Sequence, residues 1–317
     1  MRKALVVGID YYTKINPLFG CVNDAYAVKA VLDRHSDGTK NFDVNIEIAT
    51  GPTALIERKE LKNKVEELFK DKADIALFYF SGHGYIESTG GYLITSECKD
   101  GDDGFPMNEL LQIVNNSPAR NKIIILDCCH AGIVGNSALN DDKAVLKEGT
   151  TILTASSAEQ YAVEVNGSGV FTTLFIDAMN GSASNLVGDI TPGSIYAHID
   201  QSLGSWEQRP IFKTNVTTFT TLRKVQPPIT LLDMKRITEL FPIKGQEFKL
   251  DPSFEPEIEN PNEENMAKFK LLQKYNRINL VVPVDAEHMY FAAMENKSCK
   301  LTILGEHYWN LITKDRI

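Results

Sequence analysis

The sequence predicts an α/β fold: a mostly parallel six-stranded sheet with helices on both faces, followed by a small C-terminal α+β domain. Three observations carry this. Strand and helix signals alternate along residues 1–222, the rhythm of βαβ units. Two of the strands, Ile75–Phe80 and Ile123–Leu126, are apolar runs without alternation, as strands buried on both faces read. The rhythm breaks at Val225-Gln226-Pro227-Pro228, and the composition changes beyond it.

Taken in order, Lys3–Ile9 is the first strand, and Asn23–Asp33 a helix with Asn23 or Asp24 at its start. Val44–Ala49 is the second strand. Thr53–Asp71 carries Leu61, Val65 and Leu68 on one face and charge on the other, an amphipathic helix. Ile75–Phe80 is the third strand and Gly91–Thr95 a short side strand. Met107–Val114 is a helix entered through Pro106. Ile123–Asp127 and Thr151–Thr154 are the fourth and fifth strands, Phe171–Asn180 and Ser194–Leu203 helices, and Pro210–Thr214 the sixth strand. The domains are expected at 1–222 and 223–317. In the second, Asp251–Pro261 is acidic, proline-rich and extended; Asn265–Tyr275 is a helix, Ile278–Pro283 a strand, and Cys299–Trp309 a closing helix. That order loosely resembles a winged helix. Residues 225–317 carry 12 Lys/Arg against 14 Asp/Glu, which argues against DNA reading and leaves packing or contact with a regulatory protein.

The chain of 317 residues has a formal net charge of -9, unsuited to nucleic acid or an anionic membrane as main partner. It opens directly on a strand, so no signal peptide is expected, and no apolar run approaches the roughly 20 residues of a membrane span. Five cysteines without regular spacing do not make a disulfide framework. A reduced, cytoplasmic protein without a cofactor is the expectation.

Chemistry concentrates at two strand ends: Phe80-Ser81-Gly82-His83-Gly84 and Leu126-Asp127-Cys128-Cys129-His130-Ala131-Gly132. Ligands bind outside the carboxyl ends of strands in open α/β sheets, and a thiol beside an imidazole is a kit for nucleophilic catalysis. Residues two apart on a strand face the same way. Cys129 therefore shares a face with Asp127, and His83 with Ser81, while Cys128 faces away and packs as a small hydrophobe. A zinc site is disfavoured, since adjacent strand residues point apart and no Cys-x-x-Cys exists.

His-Gly after one buried strand and Asp-x-Cys-His-x-Gly after the next resemble the caspase-type cysteine peptidases, more closely metacaspases and bacterial orthocaspases than animal caspases. Val6-Val7-Gly8-Ile9-Asp10, Gly20-Cys21-Val22-Asn23-Asp24-Ala25 and Thr154-Ala155-Ser156-Ser157-Ala158-Glu159-Gln160 extend the likeness over residues 1–220. The resemblance implies a caspase-like sheet and an endopeptidase with Cys129 as nucleophile and His83 as base. It assigns the oxyanion hole to the amides of Gly84 and Cys129. It also implies a pocket for a basic P1 side chain at Asp24, Ser81 and Asp127, with Glu164 at its rim, and hence cleavage of protein substrates after Arg or Lys. Bacterial relatives serve regulated cell death or antiphage defence.

Alternatives stay open: an idle interaction module, a peptidase of other specificity, Asp127 as a cap on backbone amides, Asp24 as a helix cap. Calcium dependence is not expected: Asp100, Asp102 and Asp103 cluster, but Asn136 and Ser137 stand where another acid would help. No metal is expected. Gly135–Gly149 is expected to be an exposed loop, with Lys143 and Lys147 as points of self-processing.

Overall fold

The computed structural model describes residues 1–87, 90–129, 136–137, 140–156, 164–165, 167–204, 209–258 and 262–317, with backbone alone for 136–137, 140–144 and 164–165. The chain divides into two compact units, Met1–Gln226 and Pro227–Ile317.

The first unit is built on strands β1 (Arg2–Ile9), β2 (Asp43–Ala49), β3 (Ile75–Ser81), β4 (Asn121–Asp127), β5 (Thr150–Thr154) and β6 (Ile211–Asn215). They lie in the order β6-β5-β4-β3-β1-β2. The first five are parallel, and β6 closes one edge antiparallel to β5. All of β3 and β5, and all of β4 beyond Asn121, is buried, since helices cover both faces of these central strands.

Helices α1 (Cys21–Asp33), α2 (Arg58–Lys70), α3 (Met107–Asn116), α4 (Val170–Asp177) and α5 (Pro192–Ser202) cover the two faces. Pleating sends Phe78, Phe80, Ile124, Leu126 and Cys128 to the core under α2 and α3, with Leu61, Val65, Phe69 and Leu110. Leu77, Tyr79, Ile123 and Ile125 go to the other core, with Val28, Leu32, Phe171, Phe175 and Ile199 from α1, α4 and α5. The sheet order reverses direction at β1, which leaves a crevice at the carboxyl ends of β1, β3 and β4.

Element boundaries differ from the expected ones where tertiary contacts decide them. Helix α1 begins at Cys21, two residues early, because Asp10 beyond the end of β1 caps it: its Oδ1 accepts from the N–H groups of Cys21 (2.9 Å) and Val22 (3.3 Å). Helix α2 starts at Arg58, not Thr53. Residues ahead of it are drawn out toward another segment, with Ile56 N–H on Ser96 Oγ (3.2 Å) and Arg58 N–H on Glu97 Oε1 (2.6 Å). Helix α4 ends at Asp177 and runs into a π-helical turn, Ala178–Ser182. The side strand is Gly90–Leu93, sandwiched between Gly84–Glu87 and Phe105–Pro106.

The expected loop at Gly135–Gly149 holds a hairpin instead, Asn136–Ser137 with Asn140–Ala144; Gly135, Ala138 and Leu139 lie outside the described residues. Its exit is fastened. Asn115 binds the carbonyl of Val145 (3.0 Å) and the N–H of Lys147 (2.9 Å), and Asn215 binds the carbonyl of Leu146 (2.8 Å). A cut after Lys147 would have to release these bonds first.

The second unit carries helices α6 (Leu231–Lys235), α7 (Ile237–Leu240), α8 (Glu263–Arg277), α9 (Met289–Met294) and α10 (Ile303–Thr313). Strands β7 (Phe248–Lys249), β8 (Val281–Val284) and β9 (Ser298–Leu301) form an antiparallel sheet in the order β7-β9-β8. The closing segment is thus not one helix. Ser298, Cys299 and Leu301 are buried in β9, and Thr302 then caps α10, its Oγ1 accepting from Gly305 N–H at 2.9 Å. The expected strand at Ile278 starts only at Val281, because α8 continues to Arg277 and Asn279 turns the chain with φ 60°. Expected extended residues Pro252–Phe254 form a 3-10 turn. Among the described residues no helix is long and apolar enough to cross a membrane.

One test follows from the α1 cap. Asp10→Ala leaves two orphan N–H groups and should lower unfolding free energy by about 1 kcal/mol. Urea denaturation reads this as a lower midpoint at unchanged slope.

Candidate active site

The carboxyl ends of three strands line up. Ser81, the last residue of β3, is in register with Asp127, the last of β4, and with Gly8 of β1. The chain leaves β3 into Gly82-His83-Gly84 and leaves β4 into Cys128-Cys129, so His83 and Cys129 emerge beside each other at the crevice. The exits are pinned together: Gly82 N–H donates to the Asp127 carbonyl (3.3 Å), and Ser156 Oγ to the Cys128 carbonyl (3.1 Å). Cys129 is half-buried, whereas Cys128 is fully buried and its thiol is pushed well above the usual range by desolvation. Of the two residues, only Cys129 is partly exposed to solvent.

His83 is held from one segment, the turn between β1 and α1. Its Nε2 lies 2.9 Å from the carbonyl oxygen of Asn16. A carbonyl only accepts, so Nε2 is the donor in this contact, which leaves Nδ1 as the ring nitrogen free to face another partner. The His83 main-chain N–H donates to the Tyr12 hydroxyl at 2.8 Å. Neither Asn16 nor Tyr12 was marked by the sequence. A carbonyl has no residue signature, and Tyr12 reaches His83 across 71 positions.

Gly84 lies against the Cys129 backbone: a Cβ there would overlap the Cys129 carbonyl oxygen. Gly84 pairs with Leu93, and Ile94 N–H donates to the His83 carbonyl at 3.0 Å. In an antiparallel ladder this makes Gly84 a non-hydrogen-bonded position, whose own N–H turns away from the partner strand.

Beneath these groups, on the α1 and α4 face, Asp24, Ser81 and Asp127 come together, all buried. Asp24 does not cap α1, which Asp10 does. Its Oδ2 accepts from Gly169 N–H (3.0 Å) and Ser81 Oγ (3.3 Å). Asp127 does bind the start of a helix, α4: its Oδ2 accepts from Thr172 N–H (3.2 Å) and Thr172 Oγ1 (2.6 Å). Thr172 in turn accepts from Tyr79 Oη at 2.6 Å, a relay of buried donors onto one carboxylate. Desolvation raises the Asp24 pKa to about 7; the neighbouring Asp127 adds to the rise, and the Gly169 and Ser81 bonds oppose it.

Gly169 is a further residue of this cluster. It sits between the two acids, and a Cβ on it would overlap Asp127 Oδ2 and crowd Asp24 Oδ2. Glu164 stands across a two-residue ladder from Gly169, so its backbone borders the cluster. Among the described residues no group of three or more His, Cys, Asp or Glu side chains is placed to hold a metal ion. Asp103 uses its Oδ2 to accept from Lys99 N–H at 2.8 Å within its own loop.

Known proteins share this architecture. Residues 1–222 match the caspase domain family, peptidase C14. Metacaspase-9 of Arabidopsis thaliana is 34% identical over 143 residues, 41% of this chain and 43% of that protein. Metacaspase-4 of the same plant is 30% identical over 148 residues, 41% of this chain and 34% of that one. The chain thus spans less than half the length of these curated relatives. Among solved structures, caspase-1 of Spodoptera frugiperda superposes with a TM-score of 0.50 at 14% identity, over 71% of this chain and 91% of that one. Protein GSU0716 of Geobacter sulfurreducens superposes with a TM-score of 0.51 at 16% identity, over 73% and 99%. At those identities the likeness is one of fold, an α/β sheet of caspase type. The match over residues 1–222, well over half the chain, settles the family: this chain belongs to the caspase domain family.

Proposed function

We propose that the chain is a cysteine endopeptidase that cuts protein substrates after Arg or Lys. The observation that supports the reading is the 2.9 Å contact of His83 Nε2 with the Asn16 carbonyl. With Nε2 donating to the Asn16 carbonyl, Nδ1 is the nitrogen left to act as base, and His83 and Cys129 each lie two residues beyond the paired Ser81 and Asp127. In this reading Nδ1 takes the thiol proton of Cys129, and the sulfur attacks the scissile carbonyl carbon. The Gly84 N–H, turned out of its ladder, and the Cys129 N–H receive the oxyanion. The imidazolium returns the proton to the leaving amine, and water releases the acyl group from sulfur.

The specificity half rests on the buried acids. A guanidinium or ammonium entering the Asp24–Ser81–Asp127 cluster meets two carboxylates already out of water, whereas an apolar or acidic P1 group leaves them uncompensated. Glu164 stands at the rim under the same reading. The smaller unit serves as contact for a regulatory protein, a role supported by exposed Ile303 (92%), Tyr290 (49%) and Phe291 (42%) on its surface.

Two experiments test this. Cys129→Ala is expected to abolish hydrolysis of an Arg-P1 peptide, and Cys128→Ala to leave most of it; equal loss from both would overturn the assignment. The second uses pH. Asp24 is held neutral below about 7 and ionises above it, and a cationic P1 group pairs only with the ionised form. The ratio of kcat/KM for Arg over citrulline at P1 should therefore climb through pH 7, by up to about tenfold per pH unit. In Asp24→Asn the ratio should be flat and low. A ratio that is flat in the unsubstituted protein counts against Asp24 as a P1 contact.

A further inference from the structure

Tyr12 lies three residues beyond β1 and is 4% exposed. Its hydroxyl accepts the His83 N–H, and its ring lies 4.8 Å from the imidazole, centroid to centroid, tilted by 50°. Burial holds its phenol well above the usual range, so it contacts the histidine as a neutral group. The segment it belongs to is itself fixed. The N–H groups of Asp10 and Tyr11 donate to the Ala49 carbonyl at 3.1 Å, Thr13 N–H donates to the Ser96 carbonyl at 2.9 Å, and Leu18 N–H to the Asp10 carbonyl at 2.9 Å.

We propose that Tyr12 is a positioning residue for His83: its hydroxyl fixes the histidine main chain and its ring supports one side of the imidazole, while Asn16 in the same segment holds Nε2. Two contacts on the ring and one on its main chain, all from one hydrogen-bonded stretch, restrict the imidazole, and the direction of Nδ1 follows from its orientation. Tyr12 touches no substrate; it acts through His83. This role rests on the dyad reading above.

The test is Tyr12→Phe, which keeps the ring and its packing and removes the hydroxyl. The probe is the pH dependence of Cys129 alkylation by iodoacetamide, which needs no peptide substrate. In the unsubstituted protein, His83 should keep the thiol reactive well below the ordinary thiol pKa of about 8.5. In Tyr12→Phe the midpoint should rise by about one pH unit, and kcat on an Arg-P1 peptide should fall about tenfold with KM within about twofold. Ring ¹⁵N shifts of His83 should pass from the Nε2–H tautomer alone to a mixture. An alkylation profile and kcat that superimpose on those of the unsubstituted protein overturn the proposal. So does a loss confined to thermal stability. An unsubstituted protein with an ordinary thiol profile instead overturns the dyad, and the role of Tyr12 with it. If Tyr12→Phe does not fold, 3-fluorotyrosine at position 12, a weaker acceptor of nearly the same shape, must raise the midpoint; no rise overturns the proposal.

Discussion

Two carboxylates are buried side by side at the carboxyl end of the sheet, and much of the surrounding structure is arranged to tolerate them. Asp24 and Asp127 repel each other and have both been taken out of water. An isolated buried carboxylate costs several kcal/mol even after relaxation. The fold meets that cost with donors: the Ser81 hydroxyl and Gly169 N–H on Asp24, and the Thr172 N–H and hydroxyl, backed by Tyr79, on Asp127. These donors reduce the penalty without removing it, which is why Asp24 remains half-protonated near neutrality. Under the proposed reading, the penalty that remains is the one a cationic side chain meets. The entry of a cation would relieve it.

The same end of the sheet shows how little of the machinery is local. His83 and Cys129 come from adjacent strands, but the residues that orient the imidazole come from the turn after β1. Asp10 begins that turn and, by capping α1, sets the helix that delivers Asp24. One short stretch therefore links the orientation of the His83 ring to the placement of Asp24. Rigid connection of this kind suits a reaction in which a misplacement of about 1 Å is costly.

The strands were legible because their residues leave no choice: Ile75–Phe80 and Ile123–Leu126 have no polar face to give to water. The pleat count was legible for the same reason, and it separated Cys128 from Asp127 onto opposite cores. Boundaries were lost where a distant partner outweighed local propensity. Residues 53–57 read as helix until Ser96 takes the Ile56 N–H, and Glu97 accepts from Arg58 N–H where α2 begins. Cys299–Leu301 read as helix until pairing with β7 and β8 extends them. At the site, the charged and nucleophilic side chains could be picked out by type. The Asn16 carbonyl, the Tyr12 hydroxyl, the Thr172 relay and the close approach at Gly169 could not, since each acts through a backbone group or a contact set only by the folded chain.

The two pocket acids are not equivalent in what they do for the rest of the protein. Asp127 seats the first turn of α4 and terminates the Tyr79–Thr172 relay inside the core. Asp24 is held by the hydroxyls of Ser81 and Ser168 and by the Gly169 amide, the last two on the two-residue ladder that also carries Glu164. Losing the charge of Asp127 unseats a helix, whereas losing that of Asp24 removes a repulsion. Divergence of such a pocket among descendants of this chain is therefore lopsided. Changes at Asp24 and along the ladder would disturb the fold least, while Asp127 persists as a scaffold residue whatever the cluster meets.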